Sequence, residues 1–254
     1  MTPRLALRLL RVLAHLLQGL AICALVFPWL GRERRLSRIR RWSVQLLRIF
    51  GVRAELASGG AAASGLWVAN HVSWIDIFVI NALYPARFVA KSEVRRWPLV
   101  GPLCAWAGTI FIQRANPRDL RQTMTVMVDA LRDGERVAVF PEGTSAAQGG
   151  MLPFRANLFE AAIDAGVPVQ PVSIRYLDDA GRFHGAVEYI GTTSLMESMV
   201  AMLSGGPIHA SLAVLPAIDA NGADRRALAQ RAHRAVADAL AASATPCGCD
   251  KMAG

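Results

Sequence analysis

Three short stretches hold the residues whose types and spacing could do chemistry. The first is Asn70-His71-Val72-Ser73-Trp74-Ile75-Asp76, where an apolar run ends and a helical pattern begins. A histidine just past a strand and an aspartate in the first turn of the next helix can meet across the bend. The carboxylate would then fix the ring tautomer and stabilise the imidazolium that a general base becomes. The same spacing has a plainer reading, since Ser73 with Asp76 also fits a helix capping box and His71 could be a loop histidine satisfied by backbone. The second stretch is Phe140-Pro141-Glu142-Gly143-Thr144-Ser145, polar residues crowded at the C-terminal end of an apolar strand. Ligands of open α/β sheets sit outside such ends, where glycine permits close backbone approach and N–H groups with Thr or Ser can hold an oxygen-rich ligand. Pro and Gly would equally mark an ordinary turn. The third is Phe111-Ile112-Gln113-Arg114, an arginine ending an apolar strand. Its planar fork suits phosphate, although a surface arginine would look the same.

Strand and helix signals alternate around these stretches. Leu66–Asn70, Arg87–Ala90, Gly108–Gln113, Arg136–Phe140 and Val167–Tyr176 read as strands. Ser73–Leu83 and Asn157–Ala165 read as helices. Asn116-Pro117-Arg118-Asp119 opens another, with a capping Asn, Pro at the first position and an acid in the first turn, and that helix ends near Gly134. A last, alanine-rich helix near Ala223–Ala242 is expected at the periphery. This alternation predicts an α/β domain, a mixed sheet flanked by helices, over residues 57–254.

An N-terminal arm, residues 1–56, precedes it. Residues 1–53 carry eleven arginines and one acid (Glu33), whereas the remaining chain holds 17 basic and 18 acidic groups. The basicity therefore belongs to the arm, and the body is neutral. Arg4, Arg8, Arg11, His15 and Gln18 fall within roughly 40° of one line along a helix, and the rest of Leu5–Leu30 is apolar or small. A second helix interleaves Arg32, Arg34, Arg35, Arg38, Arg40 and Arg41 with Leu36, Ile39, Leu46, Leu47 and Phe50. Two greasy, arginine-flanked helices fit a membrane surface better than a nucleic-acid groove, so no nucleic acid is expected. Residues 12–31 are uncharged and just long enough to span, but His15, Gln18 and Pro28 equally suit an interfacial hairpin. The larger arginine cluster after residue 31 puts the body on the cytoplasmic side in either case.

Several classes are set aside. The apolar content of 53% excludes a disordered chain, and no period of 20–50 residues repeats. Cys23, Cys104, Cys247 and Cys249 show neither zinc spacing nor a disulfide framework, so a reduced, intracellular protein without a metal site is expected. No G-x-S-x-G elbow, Walker loop, G-x-G-x-x-G fingerprint or H-E-x-x-H occurs.

Taken in order, N-H-x-S-x-x-D, F-I-Q-R, F-P-E-G-T and V-P-V-Q-P-V resemble the four blocks of the glycerophospholipid acyltransferase family, in particular the bacterial 1-acyl-glycerol-3-phosphate acyltransferases. The likeness covers roughly residues 64–176. It implies that His71 is the general base, that Asp76 orients it, and that the acceptor hydroxyl attacks an acyl thioester directly. It implies an acceptor pocket containing Arg114, Glu142, Gly143 and Thr144, with Arg114 on the acceptor phosphate. Lys91 and Arg155 would be further basic residues, and Pro171 would shape the fourth block. The implied reaction acylates the sn-2 hydroxyl of 1-acyl-glycerol-3-phosphate to phosphatidic acid at the inner membrane. The donor would be acyl-carrier-protein or acyl-CoA, with no cofactor beyond that thioester. After Thr144 the chain reads Ser-Ala-Ala-Gln-Gly-Gly where many relatives carry an arginine or Ser-Asp-Gly stretch. Relatives with the same blocks acylate lyso-ornithine lipid, so that acceptor or another lysophospholipid is the alternative. A non-catalytic membrane-surface protein is the alternative of another class, and the presence of His71, Asp76 and Glu142 speaks against it.

Overall fold

Apolar side chains leave the central strands on both faces, and two apolar faces call for helices on both sides. The computed structural model describes residues 2–59, 62–113 and 117–242. The strands are β1 (Val52–Ser58), β2 (Gly65–Ala69), β3 (Arg87–Lys91), β4 (Ile110–Ile112), β5 (Arg136–Val139), β6 (Val169–Leu177) and β7 (Ile208–Val214). The helices are α1 (Pro3–Leu25), α2 (Arg32–Ile49), α3 (Asp76–Leu83), α4 (Val100–Trp106), α5 (Pro117–Arg132), α6 (Glu160–Ala165), α7 (Leu195–Ser204) and α8 (Arg225–Ala242). The sheet runs β1-β7-β6-β2-β5-β3-β4. Strands β2 to β6 are mutually parallel, β7 is antiparallel to β6, and β1 is parallel to β7. This is the mixed sheet the sequence predicts.

Period-two alternation divides the core. Trp67 and Ala69 of β2, with Val172, Ile174 and Tyr176 of β6, pack with α2, α3 and α7 on one face. Leu66 and Val68 of β2, with Val137 and Val139 of β5, pack with α5, α6 and α8 on the other. The last helix is not peripheral. Leu228, Ala229, Ala232 and Val236 are buried, because small alanine side chains let α8 lie close against the sheet, where Arg175 Nη2 donates to Ala239 O (3.2 Å). β1 runs past residue 56 to Ser58, which pairs with Ala213 of β7 after a register shift at Ala57.

The arm is built into this core. Val12, Leu46, Leu47 and Phe50 share one buried cluster with the sheet. Helices α1 and α2 are locked by a reciprocal pair: Trp42 Nε1 donates to His15 O (3.2 Å), and His15 Nε2 lies 3.0 Å from Trp42 O. The two rings stack at 4.5 Å, so His15 is a packing residue and not part of a solvated polar line. Burial pushes its pKa below the ordinary imidazole value, against two hydrogen bonds that raise it. The inward face of α1 is Val12, His15, Gly19 and Cys23, spaced three to four residues apart. Outward stand Leu7, Leu10, Leu13, Leu17 and Leu25, the last 71% exposed, followed by Trp29 at 85%. At about 100° per residue these leucines occupy roughly a third of the helix circumference.

A Cβ on Gly19 would meet Trp42 Nε1 at 2.7 Å and Leu103 Cδ2 at 3.0 Å. Alanine normally stabilises a helix by about 1 kcal/mol over glycine. Here the sign should reverse, and Gly19→Ala should lower the melting temperature, with a cost of about 1–3 kcal/mol from overpacking. A melting temperature unchanged or raised by calorimetry would show that the helices can separate freely.

Candidate active site

Adjacent parallel strands deliver the site. β2 and β5 are neighbours, with Val68 opposite Val139, so the residues that follow them leave the sheet side by side. Asn70 continues the β2–β6 pairing with its side chain: its Nδ2 donates to Ile174 O (3.0 Å), and its Oδ1 accepts from Ile174 N (2.8 Å). That amide clamp sets the direction in which His71 departs.

The His71 ring lies against Phe140, centroids 4.1 Å apart and planes 13° from parallel. Its Nδ1 is 2.8 Å from Asp76 Oδ2. An ionised carboxylate accepts only, so in the neutral ring Nδ1 carries the hydrogen and Nε2 keeps its lone pair. The side chain is 21% exposed, enough to be reached, while Asp76 is wholly buried. Asp76 Oδ2 also accepts from Val72 N (2.8 Å) and Ser73 N (3.0 Å), and Oδ1 accepts from the Tyr176 hydroxyl (2.5 Å). Both sequence readings of this motif are thus partly realised by one carboxylate. It orients the histidine and also reaches back to the Ser73 amide as a capping box requires, but Ser73 Oγ, buried, has no hydrogen-bond partner among the described residues. The helix accordingly starts at Asp76 and not at Ser73.

Glu142 faces inward. Its Oε1 accepts from His71 N and its Oε2 from Leu152 N, both at 2.7 Å. Burial pushes its carboxyl above the ordinary range, opposed by those two N–H groups and by His71. Each of its oxygens thus holds main chain, on one side the backbone of His71. Gly143 turns the loop at φ +79°, a region that favours glycine, with its N–H given to Phe140 O (3.1 Å). Ser145 Oγ donates to Tyr189 O, Ala146 N to His71 O (2.8 Å), and Tyr189 N to Val72 O (3.1 Å). The bend from 71 to 76 is therefore held by two loops.

Thr144 is exposed beyond Gly143, Lys91 ends β3 exposed, and Arg155 is exposed with its N–H on Pro141 O (3.0 Å). Neither basic side chain is paired among the described residues, and both stand at the end of the sheet where His71 leaves it. Arg114 lies outside the described residues. Pro171, opposite Val68 in β6, accepts from Leu215 N (3.0 Å) just past the last β6–β7 pair, where its missing N–H breaks no ladder bond.

The chain is 36% identical to a lyso-ornithine lipid O-acyltransferase of Pseudomonas aeruginosa over 96% of each chain. It belongs to the glycerophospholipid acyltransferase family. A family model described as Acyltransferase matches residues 55–175, which include every element of the site just described except the Tyr176 hydroxyl and the loop near Tyr189. A 1-acyl-sn-glycerol-3-phosphate acyltransferase of Neisseria gonorrhoeae is 40% identical over 54% of each chain. The crystal structure of the 1-acyl-sn-glycerophosphate acyltransferase of Thermotoga maritima shares the fold, with a TM-score of 0.64 over 92% of this chain and 97% of that one, at 21% identity.

Within this acyltransferase the residue that sequence reasoning missed is Tyr176. The signal was present, since Val172, Ile174 and Tyr176 alternate onto the buried face, and a buried tyrosine needs a hydroxyl partner. Burial, then the Asp76 charge, push the Tyr176 hydroxyl well above its ordinary pKa, so it remains a donor at any working pH. Without that donor Asp76 Oδ1 loses its partner. Tyr176→Phe should therefore cost about 1–3 kcal/mol of stability for the unpaired oxygen, read as a lower melting temperature. A melting temperature equal to wild type would mean that the carboxylate is satisfied without the tyrosine.

Proposed function

We propose that this acyltransferase moves a fatty acyl group from a thioester to the hydroxyl of a lysolipid, with His71 as general base and Asp76 orienting it. The observation that carries this reading is the Nδ1–Oδ2 bond, which leaves Nε2 unprotonated beside a partly open face. In the forward step Nε2 takes the hydroxyl proton as the oxygen attacks the thioester carbonyl. Collapse of the tetrahedral intermediate breaks the C–S bond, and the proton held on His71 passes to the leaving thiolate. Glu142 acts through the His71 backbone, as a positioning residue. The donor is carried by acyl-carrier-protein or coenzyme A.

Likeness along the whole chain to the Pseudomonas protein favours lyso-ornithine lipid as acceptor. Lysophosphatidate, the acceptor that the motifs alone suggest, is the second reading. It is favoured by the unpaired Lys91 and Arg155 at the rim and by the Neisseria relative, with Arg114 as phosphate contact. Purified enzyme in mixed micelles, given labelled acyl-carrier-protein or acyl-CoA and each acceptor separately, distinguishes the two. His71→Ala should lower turnover at least about a hundredfold with either acceptor. Turnover equal to wild type would remove the base assignment. Product on lysophosphatidate but none on lyso-ornithine lipid would reverse the choice of acceptor.

The arm is read as lying on the cytoplasmic face of the inner membrane. Its α1 packs along the body from Leu5 to Gly19, so the apolar residues left over form a stripe and not a free span. A stripe of half-exposed leucines flanked by arginines suits the boundary between head groups and chains. Deleting residues 1–50 would strip Leu46, Leu47 and Phe50 from the core, so surface substitutions are the cleaner probe. A triple variant, Leu10→Glu, Leu13→Glu and Leu17→Glu, should leave the melting temperature near wild type and move most of the protein from the liposome pellet to the supernatant. Quantitative sedimentation of that variant would mean another surface is the anchor.

A further inference from the structure

At the end of the sheet opposite His71, α2 and the turn at Phe27–Trp29 lie beside the starts of β2, β3 and β5 and border an open cavity of about 470 Å³. Five residues of β2, at ~3.3 Å each, separate it from the acyl-transfer site by roughly 16 Å. Its charged lining is Arg32, Arg35, Arg87 and Arg136 against one carboxylate, Glu135. Three of these arginines are anchored. Arg87 gives Nε to Gly108 O (2.8 Å) and Nη1 to Glu135 (3.1 Å), and Arg35 gives Nε to both Phe27 O (3.0 Å) and Leu30 O (2.9 Å). Arg32 gives Nη1 to Asp133 O (3.1 Å), with Nε 3.6 Å from Glu135. Such bonds fix the guanidinium planes and leave terminal nitrogens unused.

Arg136 is held differently. Its guanidinium carbon sits 5.6 Å from the Trp67 ring centroid and 5.8 Å from that of Tyr84. Its Nε is shielded from solvent, and the side chain makes no hydrogen bond or ion pair among the described residues. Burial pushes its pKa below the ordinary guanidinium value. Four cations facing one anion repel one another at low effective dielectric, and an oxyanion among them offsets that cost through forked hydrogen bonds. Phe27, with Leu36 and Ile39 of α2, the helix that also carries Arg32 and Arg35, adds an apolar wall beside those cations. A free inorganic ion has no use for that wall, whereas an acyl chain does. The neighbouring Trp29 is also among the most exposed apolar side chains of the arm.

We propose that this cavity is a second lipid site, distinct from the acyl-transfer centre, which binds the phosphate head group of an anionic glycerolipid through Arg136 and lays its chain against α2. Isothermal titration of the full-length protein in neutral detergent tests it. The probes are dihexanoyl phosphatidic acid below its micellar concentration, inorganic phosphate, and dihexanoyl phosphatidylcholine. Wild type should bind the phosphatidic acid in preference to the other two. Arg136→Gln should weaken that binding at least about tenfold, and Arg136→Lys, which keeps the charge and loses the fork, by less. Arg114→Gln, a change at the acceptor contact proposed for the acyl-transfer site, should leave this binding in place. Two outcomes overturn the proposal: binding abolished by Arg114→Gln but untouched by Arg136→Gln, or inorganic phosphate bound as tightly as the lipid. Should Arg136→Gln fail to fold, the Lys variant decides the matter: wild-type affinity in a protein of wild-type melting temperature also overturns it.

Discussion

A single buried carboxylate organises the end of the sheet where His71 leaves it. Asp76 has no contact with solvent, and an ionised carboxylate in a protein interior costs several kcal/mol unless it is surrounded by donors. Four donors meet it: the His71 ring, two successive main-chain N–H groups, and a tyrosine hydroxyl from a strand a hundred residues further along the chain. None can be moved without leaving charge unpaired. The bend after β2, the start of α3 and the far half of β6 are tied together for that reason. Asn70 and Glu142 finish the arrangement from outside the carboxylate by fixing the main chain on either side of the histidine.

The opposite end of the sheet shows the reverse electrostatic condition, cations in excess of anions. Between the two lies a core in which the arm is a full participant. On α1, His15 and Gly19 turn inward, where the ring can stack on Trp42 and the glycine can admit it, while five leucines and the exposed arginines turn outward. A contiguous row of exposed leucines of this kind marks an interaction surface.

Much of this was legible in the sequence, and the exceptions have physical causes. The strands through Trp67 and Ala138 are buried on both faces, so they read as apolar runs, and the polar residues just beyond them stand out. β7 was invisible because half of its inward alternation is carried by Ala210 and by residues that look equally at home in a helix. β1 is not marked in the sequence, because Arg53 and Glu55 interrupt its apolar residues and its last two, Ala57 and Ser58, carry no strand propensity. The arm's arginine line was visible, but not that it borders the packed face. The inward role of Glu142 and the arrival of Tyr176 were not readable either. Spacing tells which residues share a turn, whereas these two contacts are made across the sheet.

The pairing of β1 with β7 joins residue 52 to residue 208. A ribosome releases the arm and its strand long before their partner exists, so the arm cannot dock finally until nearly the whole chain has been made. Contacts of such long sequence separation form late, and apolar surface left waiting invites aggregation. During that interval the leucines of α1 and the core side chains of α2 are exposed together. The order of synthesis therefore leaves the arm, the first part of the chain to be made, among the last to reach its final contacts.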